Sequence, residues 1–359
     1  MSRTFKLSGI FLISVISLQL FRIVFSYVPF SDNISGWLFS FVFQVGCLGL
    51  VPYLLYRAFI SKDSLTLVKD FRLNTKIPPI SWLLAVVIGL LVFYLNTGIS
   101  SFWYVTLNSL GFTYVSAPGT IFSSPEVLIL EIITSAMLPA IFEEFADRGL
   151  LLAVFAEEKN DNKKIILVGV IFGLLHQNVA QLTPTMFGGL VMAYMAVKGA
   201  SIIPCMIVHF MNNFLITLLQ YSGQQQGGFG YFSDGFYALL GWNPLFTLFS
   251  YALAAGLIVF ILKKYAAINA KNRQALYPQE VQPSHFAPQS VVVRPRTQMS
   301  FDDIYGTNGA RQPAEPVIHI LEPVAVQSKP KKWEYALLYC AVLSMAAVTY
   351  FTFLWGLWR

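Results

Sequence analysis

Glu143 and Glu144 are adjacent carboxylates inside an apolar run, 127–155. Ionisable groups at membrane depth are costly and mark function by default. On a helix, Glu144 and Arg148 stand i, i+4, so the spacing predicts a structural ion pair. Glu143 is turned about 100° from Glu144 and is left for chemistry. Of the four histidines, His285 and His319 lie in a polar tail, whereas His176 and His209 fall in apolar segments. Phe172 and His176 share a helix face, as do His209 and Asn213. A buried carboxylate with two imidazoles is the equipment of a hydrolase that activates water. Glu143 can act as base with His176 sharing the water, while His209 and Asn213 can present donors to a tetrahedral oxyanion. The plainer readings are a helix-holding ion-pair network for Glu143, Glu144 and Arg148, interhelical hydrogen bonds for the histidines, and core packing for Phe172.

The elements that must position these groups are membrane helices. The chain has 359 residues, 56% hydrophobic and 12% charged. A soluble domain cannot hide that much apolar surface, and repeated long apolar runs read as spans. The expected fold is all-α, a polytopic transmembrane bundle of about eight core helices plus a C-terminal single span. The predicted spans are 7–28, 36–60, 80–97, 125–155, 165–181, 184–197, 202–221, 244–262 and 333–358. No charge occurs from Asn96 to Ser124, and Phe102-Trp103-Tyr104 suggests an interfacial helix or a longer third span. Gly169 and Gly173 have a spacing that permits close helix approach. Residues 1–265 read as a membrane-embedded core, 266–332 as a flexible Pro-rich cytoplasmic linker, and 333–359 as the last helix. Arg3 and Lys6 ahead of an apolar run mimic a signal peptide, yet no alanine occurs before Ala58. An uncleaved first helix is expected. Cys47, Cys205 and Cys340 all lie in apolar runs and read as packing residues.

The net charge of +6 relates to orientation and the lipid bilayer; no nucleic-acid motif is visible. Lys and Arg cluster in alternate loops, which predicts a multi-pass cell-membrane protein with a cytoplasmic N-terminus and an external C-terminus. At 1.5 Å per residue, Glu143, His176 and His209 lie roughly 20, 18 and 15 Å from their cytoplasmic helix ends, a matched depth.

Glu-Glu-x-x-x-Arg-Gly from Glu143, Phe-x-x-x-His from Phe172 and His-x-x-x-Asn from His209 occur in this order, each in its own apolar segment. The set resembles the CAAX-protease and bacteriocin-processing family of intramembrane endopeptidases, over about 125–220. The resemblance implies Glu143 and His176 on the water, His209 and Asn213 on the oxyanion, and Glu144 and Arg148 as support. It also implies a glutamate-dependent mechanism without a catalytic metal. Zinc on Glu143, His176 and His209 is the alternative, although no His-Glu-x-x-His is present. One departure stands at Asp147, where family members commonly carry an apolar residue, often Phe. Asp147 is i+4 from Glu143, so like charges face each other. That predicts one shared proton and a weakened base, unless Asp147 pairs with Arg148 or a loop lysine. The expected function is endopeptidase action on a peptide or membrane-protein substrate near the cytoplasmic side. The alternative is a catalytically weak relative acting as a membrane immunity or regulatory binding protein. A transporter-like relay ranks below both, because broken-helix repeats are not evident.

Overall fold

The computed structural model describes residues 1–27, 32–113, 120–278 and 330–358. Eleven helices are assigned within them. They are α1 (Arg3–Ser26), α2 (Asn33–Phe59), α3 (Ser64–Asp70), α4 (Pro79–Ser109), α5 (Pro125–Val154), α6 (Asp161–Leu175), α7 (Val179–Gly199), α8 (Ile203–Gly223), α9 (Gly230–Gly241), α10 (Pro244–Leu276) and α11 (Lys332–Leu357). Seven, namely α1, α2, α4, α5, α8, α10 and α11, are long and apolar enough to cross a membrane. The protein is a multi-pass, all-α bundle. Its outer faces carry exposed apolar side chains such as Leu83, Phe249, Leu253, Phe260, Leu343 and Phe351. Lipid is the solvent that accounts for so continuous an apolar surface.

Several helices begin where the sequence supplies a start signal. Asn160, Asn178 and Asn243 accept hydrogen bonds from the first-turn backbone of α6, α7 and α10, and Asp63 does so for α3; side-chain oxygens satisfy amides that have no intrahelical partner. The short helices α6 and α7 form a tight hairpin. The α6–α7 turn places Gln177 at φ 51°. A Cβ on Gly189 would lie 2.8 Å from the Gly169 carbonyl oxygen and 3.1 Å from Phe172. The glycine contact therefore brings the α7 backbone onto the face of α6 that bears Phe172.

Three stretches are wound as π-helix: Val42–Leu50 in α2, and Ile132–Met137 and Phe145–Leu151 in α5. The two in α5 flank Glu143. Pro139 has no N–H to donate and its ring crowds the carbonyl four residues back, which here is that of Ser135. Leu138 N–H bonds instead to Ile133, the i→i+5 closure of a π turn.

The structure departs from the sequence reading in three places. First, α10 does not stop at Lys263-Lys264 but runs to Leu276, so 266–276 is helix and not linker. The extension is docked: Asn269, fully buried, donates to Ser81 at 2.9 Å, and Arg273 pairs with Asp161 at 2.8 Å. Second, two of the nine expected spans, 165–181 and 184–197, appear as α6 and α7, which are not among the seven helices long and apolar enough to cross a membrane; 80–97 with the stretch after it forms one helix, α4, one of the two outcomes expected. Third, α3 and α9 occupy segments read as loops. Residues 279–329, most of the expected linker, lie outside the described residues.

The last helix lies along the first. Phe5 and Trp333 rings are 5.8 Å apart, and Gln19 donates to Ser344 at 3.4 Å. At the far end Val179 N–H donates to Thr352 Oγ1 at 3.0 Å and Thr113 N–H to the Gly356 carbonyl at 2.8 Å. Thus α11 runs parallel to α1 and reaches the α6–α7 turn.

Candidate functional site

Glu143 is buried in α5 and is held from one side only. Its Oε1 accepts a hydrogen bond from Gln44 Nε2 of α2 at 2.7 Å. Its Oε2 has no hydrogen-bond partner among the described residues and lies 3.8 Å from both His176 Nε2 and His209 Nε2. That gap is too long for a direct hydrogen bond and is the kind a bridging water spans.

The two imidazoles are oriented by their other nitrogens. His176 Nδ1 lies 3.0 Å from the Phe172 carbonyl oxygen. A carbonyl only accepts, so Nδ1 carries the hydrogen and a neutral ring presents an Nε2 lone pair. His209 Nδ1 lies 2.9 Å from Glu144 Oε1 and donates to it. The same oxygen accepts from Arg148 Nη1 at 2.8 Å.

Arg148 is fully buried. Its Nη2 donates to the Gly189 carbonyl at 3.0 Å, and its guanidinium carbon sits 4.1 Å over the Phe172 ring. Phe172 turns its edge or face to His176 and His209, at centroid distances of 5.1 and 5.7 Å in T-shaped pairs. One aromatic ring thus packs against the cation and both imidazoles. This gives Phe172 the packing place expected of it, at the centre of the site.

Asp147 is also fully buried. Its Oδ2 lies 3.3 Å from Arg148 Nε, and neither carboxylate oxygen has a hydrogen-bond partner among the described residues. Asp147 lies in the π-wound stretch Phe145–Leu151 that follows Glu143 and Glu144. The arginine alternative is the pairing observed.

Asn213 donates through Nδ2 to the Ser135 carbonyl at 3.2 Å, the carbonyl that Pro139 leaves without its helical partner. Its Oδ1 accepts from Asn212 Nδ2, and Asn212 Oδ1 accepts from Asn96 Nδ2, both at 3.0 Å. This amide chain joins α4, α8 and α5 beside Glu143.

Glu143, His176, His209 and Asn213 all line one cavity of about 420 Å³. Several residues of its setting carry weak signals in the sequence. Gln44 and Asn96 are single polar residues in apolar runs. Arg22 of α1 faces the bundle and donates to the His176 carbonyl at 3.2 Å, a cation at a helix C-terminus. Glu131 lines the cavity and accepts from Trp37, Thr120 and Ser135 at 2.9, 2.8 and 2.5 Å.

The donor set was tested against zinc by distance. Four ligands at about 2.0–2.1 Å in a tetrahedron stand about 3.4 Å from one another. The two Glu143–histidine gaps are each 3.8 Å, wider than that. Among the described residues no group of three His, Cys, Asp or Glu side chains is gathered to hold an ion.

Residues 125–215 match the family model described as type II CAAX prenyl endopeptidase Rce1-like. The match spans α5 to the middle of α8, a minority of the chain that includes every residue of the three motifs. It agrees with the resemblance to the CAAX-protease and bacteriocin-processing family. No curated protein matches the chain, and no solved structure does.

Proposed function

We propose that this protein is an intramembrane endopeptidase that hydrolyses a peptide bond with a water activated at Glu143 and His176. The observation that carries the reading is the position of Glu143 Oε2, 3.8 Å from two imidazole Nε2 atoms inside the cavity. The family match over 125–215 supports it.

A water over these atoms gives a proton to Glu143 while its oxygen bonds to the scissile carbonyl carbon. His176, its Nδ1–H engaged by Phe172, accepts from the water and aims it. The tetrahedral oxyanion needs donors. Asn213 Nδ2 supplies one. His209 Nε2 supplies another when it carries a proton, with Nδ1–H anchored on Glu144. Glu143 then passes its proton to the leaving amine as the carbon–nitrogen bond breaks, and both ends of the peptide depart. Glu144 and Arg148 position His209 without touching substrate. No step requires a metal or other cofactor, and the partners are a peptide or membrane-protein substrate and the bilayer. The alternation of basic loops supports a cytoplasmic N-terminus and an external C-terminus.

The test is cleavage of a peptide library by purified protein in proteoliposomes. Glu143→Gln is expected to lose turnover by about 10²–10⁴-fold, the usual worth of a positioned base, with melting temperature nearly unchanged. Unchanged turnover would remove Glu143 from the mechanism. Strong chelators are expected to leave the wild type active; loss restored by zinc would make Glu143, His176 and His209 ligands.

A second reading has one observation in its favour: a fully buried Asp147 beside Arg148. A catalytically weak relative acting in membrane immunity or as a regulatory binder would keep its phenotype in Glu143→Gln.

A further inference from the structure

The cavity is closed at one end and polar at the other. Val208, Met192 and Glu143 are buried at its floor. Ser100, Gln181 and Gln220 are exposed lining residues on α4, α7 and α8. Gln181 is near the first turn of α7, and Gln220 near the last turn of α8. The Trp103 indole donates to the Val179 carbonyl at 2.7 Å, which fixes α4 beside Ser100 at the same level. Three helices thus lose burial toward one end of the bundle, and beside Ile216 the exposed lining side chains there are two amides and a hydroxyl, as suits water more than lipid.

The connecting segments described at that end lack basic residues. The described segments 111–113, 120–124, 176–178 and 224–243 contain no Lys or Arg. The opposite end gathers them: Arg3 pairs with Asp70, Lys6 reaches the Phe59 carbonyl, and Lys198 and Arg273 meet Asp161. Loops rich in Lys and Arg stay in the cytoplasm. The sequence reading expects a cut near the cytoplasmic side, but the matched depth of the three groups does not tell which end of the cavity is open.

We infer that substrate enters from the extracytoplasmic face, so that the protein acts on extended peptide segments presented outside the cytoplasm. This rests on the endopeptidase reading. The lining narrows the chemistry. Among the described lining residues Glu131 and Glu143 are the acidic ones and none is Lys or Arg, and two carboxylates in a low-dielectric wall favour a neutral or cationic segment over an acidic one.

The test uses the full chain with Cys47, Cys205 and Cys340 replaced by Ala and one new cysteine, Gln220→Cys at the mouth or Lys62→Cys in a basic loop. A membrane-impermeant charged maleimide is added to intact cells and to inverted vesicles. Gln220→Cys is expected to label in cells, and Lys62→Cys only in inverted vesicles. Gln181→Cys, on another helix of the same rim, replaces Gln220→Cys should that variant not insert. Labelling of the mouth cysteine only after inversion, or of both from one face, overturns the inference. In parallel, an impermeant Lys-containing peptide is offered to sealed proteoliposomes of each orientation. Cleavage is expected only where the mouth faces the bath, and a Glu-containing analogue is expected to be cleaved more slowly. Cleavage from the basic face, or preference for the acidic analogue, overturns the inference and leaves the endopeptidase reading standing. The expected labelling with no cleavage from either face overturns the claim about substrate together with the endopeptidase reading, while the external mouth stands.

Discussion

Glu143 and Glu144 share a backbone turn and face different partners. Glu143 meets Gln44 and the two Nε2 atoms; Glu144 meets Arg148 and His209 Nδ1. Removing Glu144 leaves Arg148 buried, with Asp147 as its remaining anionic neighbour, and unmaking one side of a buried ion pair costs about 3–5 kcal/mol. Glu144→Ala is therefore expected to lower the detergent melting temperature as well as activity. An unshifted melting curve would show that Arg148 is held without it. Asp147 reverses an expectation. Restoring the family's Phe there should relieve a like charge and raise activity, on sequence grounds alone. The site is fully buried and the carboxylate touches Arg148, so Asp147→Phe is expected to overpack, at about 1–3 kcal/mol, and to reduce turnover. Thermal melts and cleavage rates of the pair decide it; a stable, faster variant would show that the pocket has room. The motif residues were legible because ionisable groups inside apolar runs are rare and costly. Gln44 and the Ser135 carbonyl were not, because pairing across helices depends on rotation, which one sequence does not state.

At the scale of the helix, Pro139 couples winding to chemistry. It frees the Ser135 carbonyl, and Asn213 takes it. Pro139→Ala returns an N–H that competes for that oxygen. The variant is expected to be as stable as wild type or more so, since Pro is costly inside helices, yet to have a lower kcat as Asn213 loses its anchor. Equal kcat would mean that the Asn213 position does not depend on the proline. Spans were legible from apolar length, but the π turns were not, for their cause is a single missing donor and no periodicity. Nor was the reach of α10 to Leu276, which depends on its partners. One of these is Asp161, the first residue of α6. Burial pushes its carboxyl up, but Lys198, Arg273 and Lys164 outweigh this and hold it below the usual carboxylate range. A depressed folded value stabilises fully above the unfolded value and is lost as pH falls through the folded one. Wild type is expected to lose melting temperature on acidification through and below the usual carboxylate range, and Asp161→Asn to lose less. Parallel pH profiles would separate Asp161 from the acid limb.

For the whole molecule, the helical bundle could be read from composition, with seven of the nine expected spans appearing as helices long and apolar enough to cross a membrane, whereas the open end of the cavity could not, because it is set by how helices splay. The parallel seating of α11 on α1 has a further consequence, in biosynthesis. The first helix inserted waits for the last one made, with all the intervening spans already in the bilayer. Final closure is thus a docking step between preformed parts, and the entropy of closing a flexible tether rises only slowly with its length. Continuity of the tether is then dispensable. Residues 1–278 and 330–359, expressed as two chains in one cell, are expected to co-purify and to recover activity, and Gly9→Leu, which crowds Leu337 where a Cβ would already stand 3.1 Å away, is expected to separate them. Failure of the halves to associate would mean that the last helix depends on its covalent delivery to find the first.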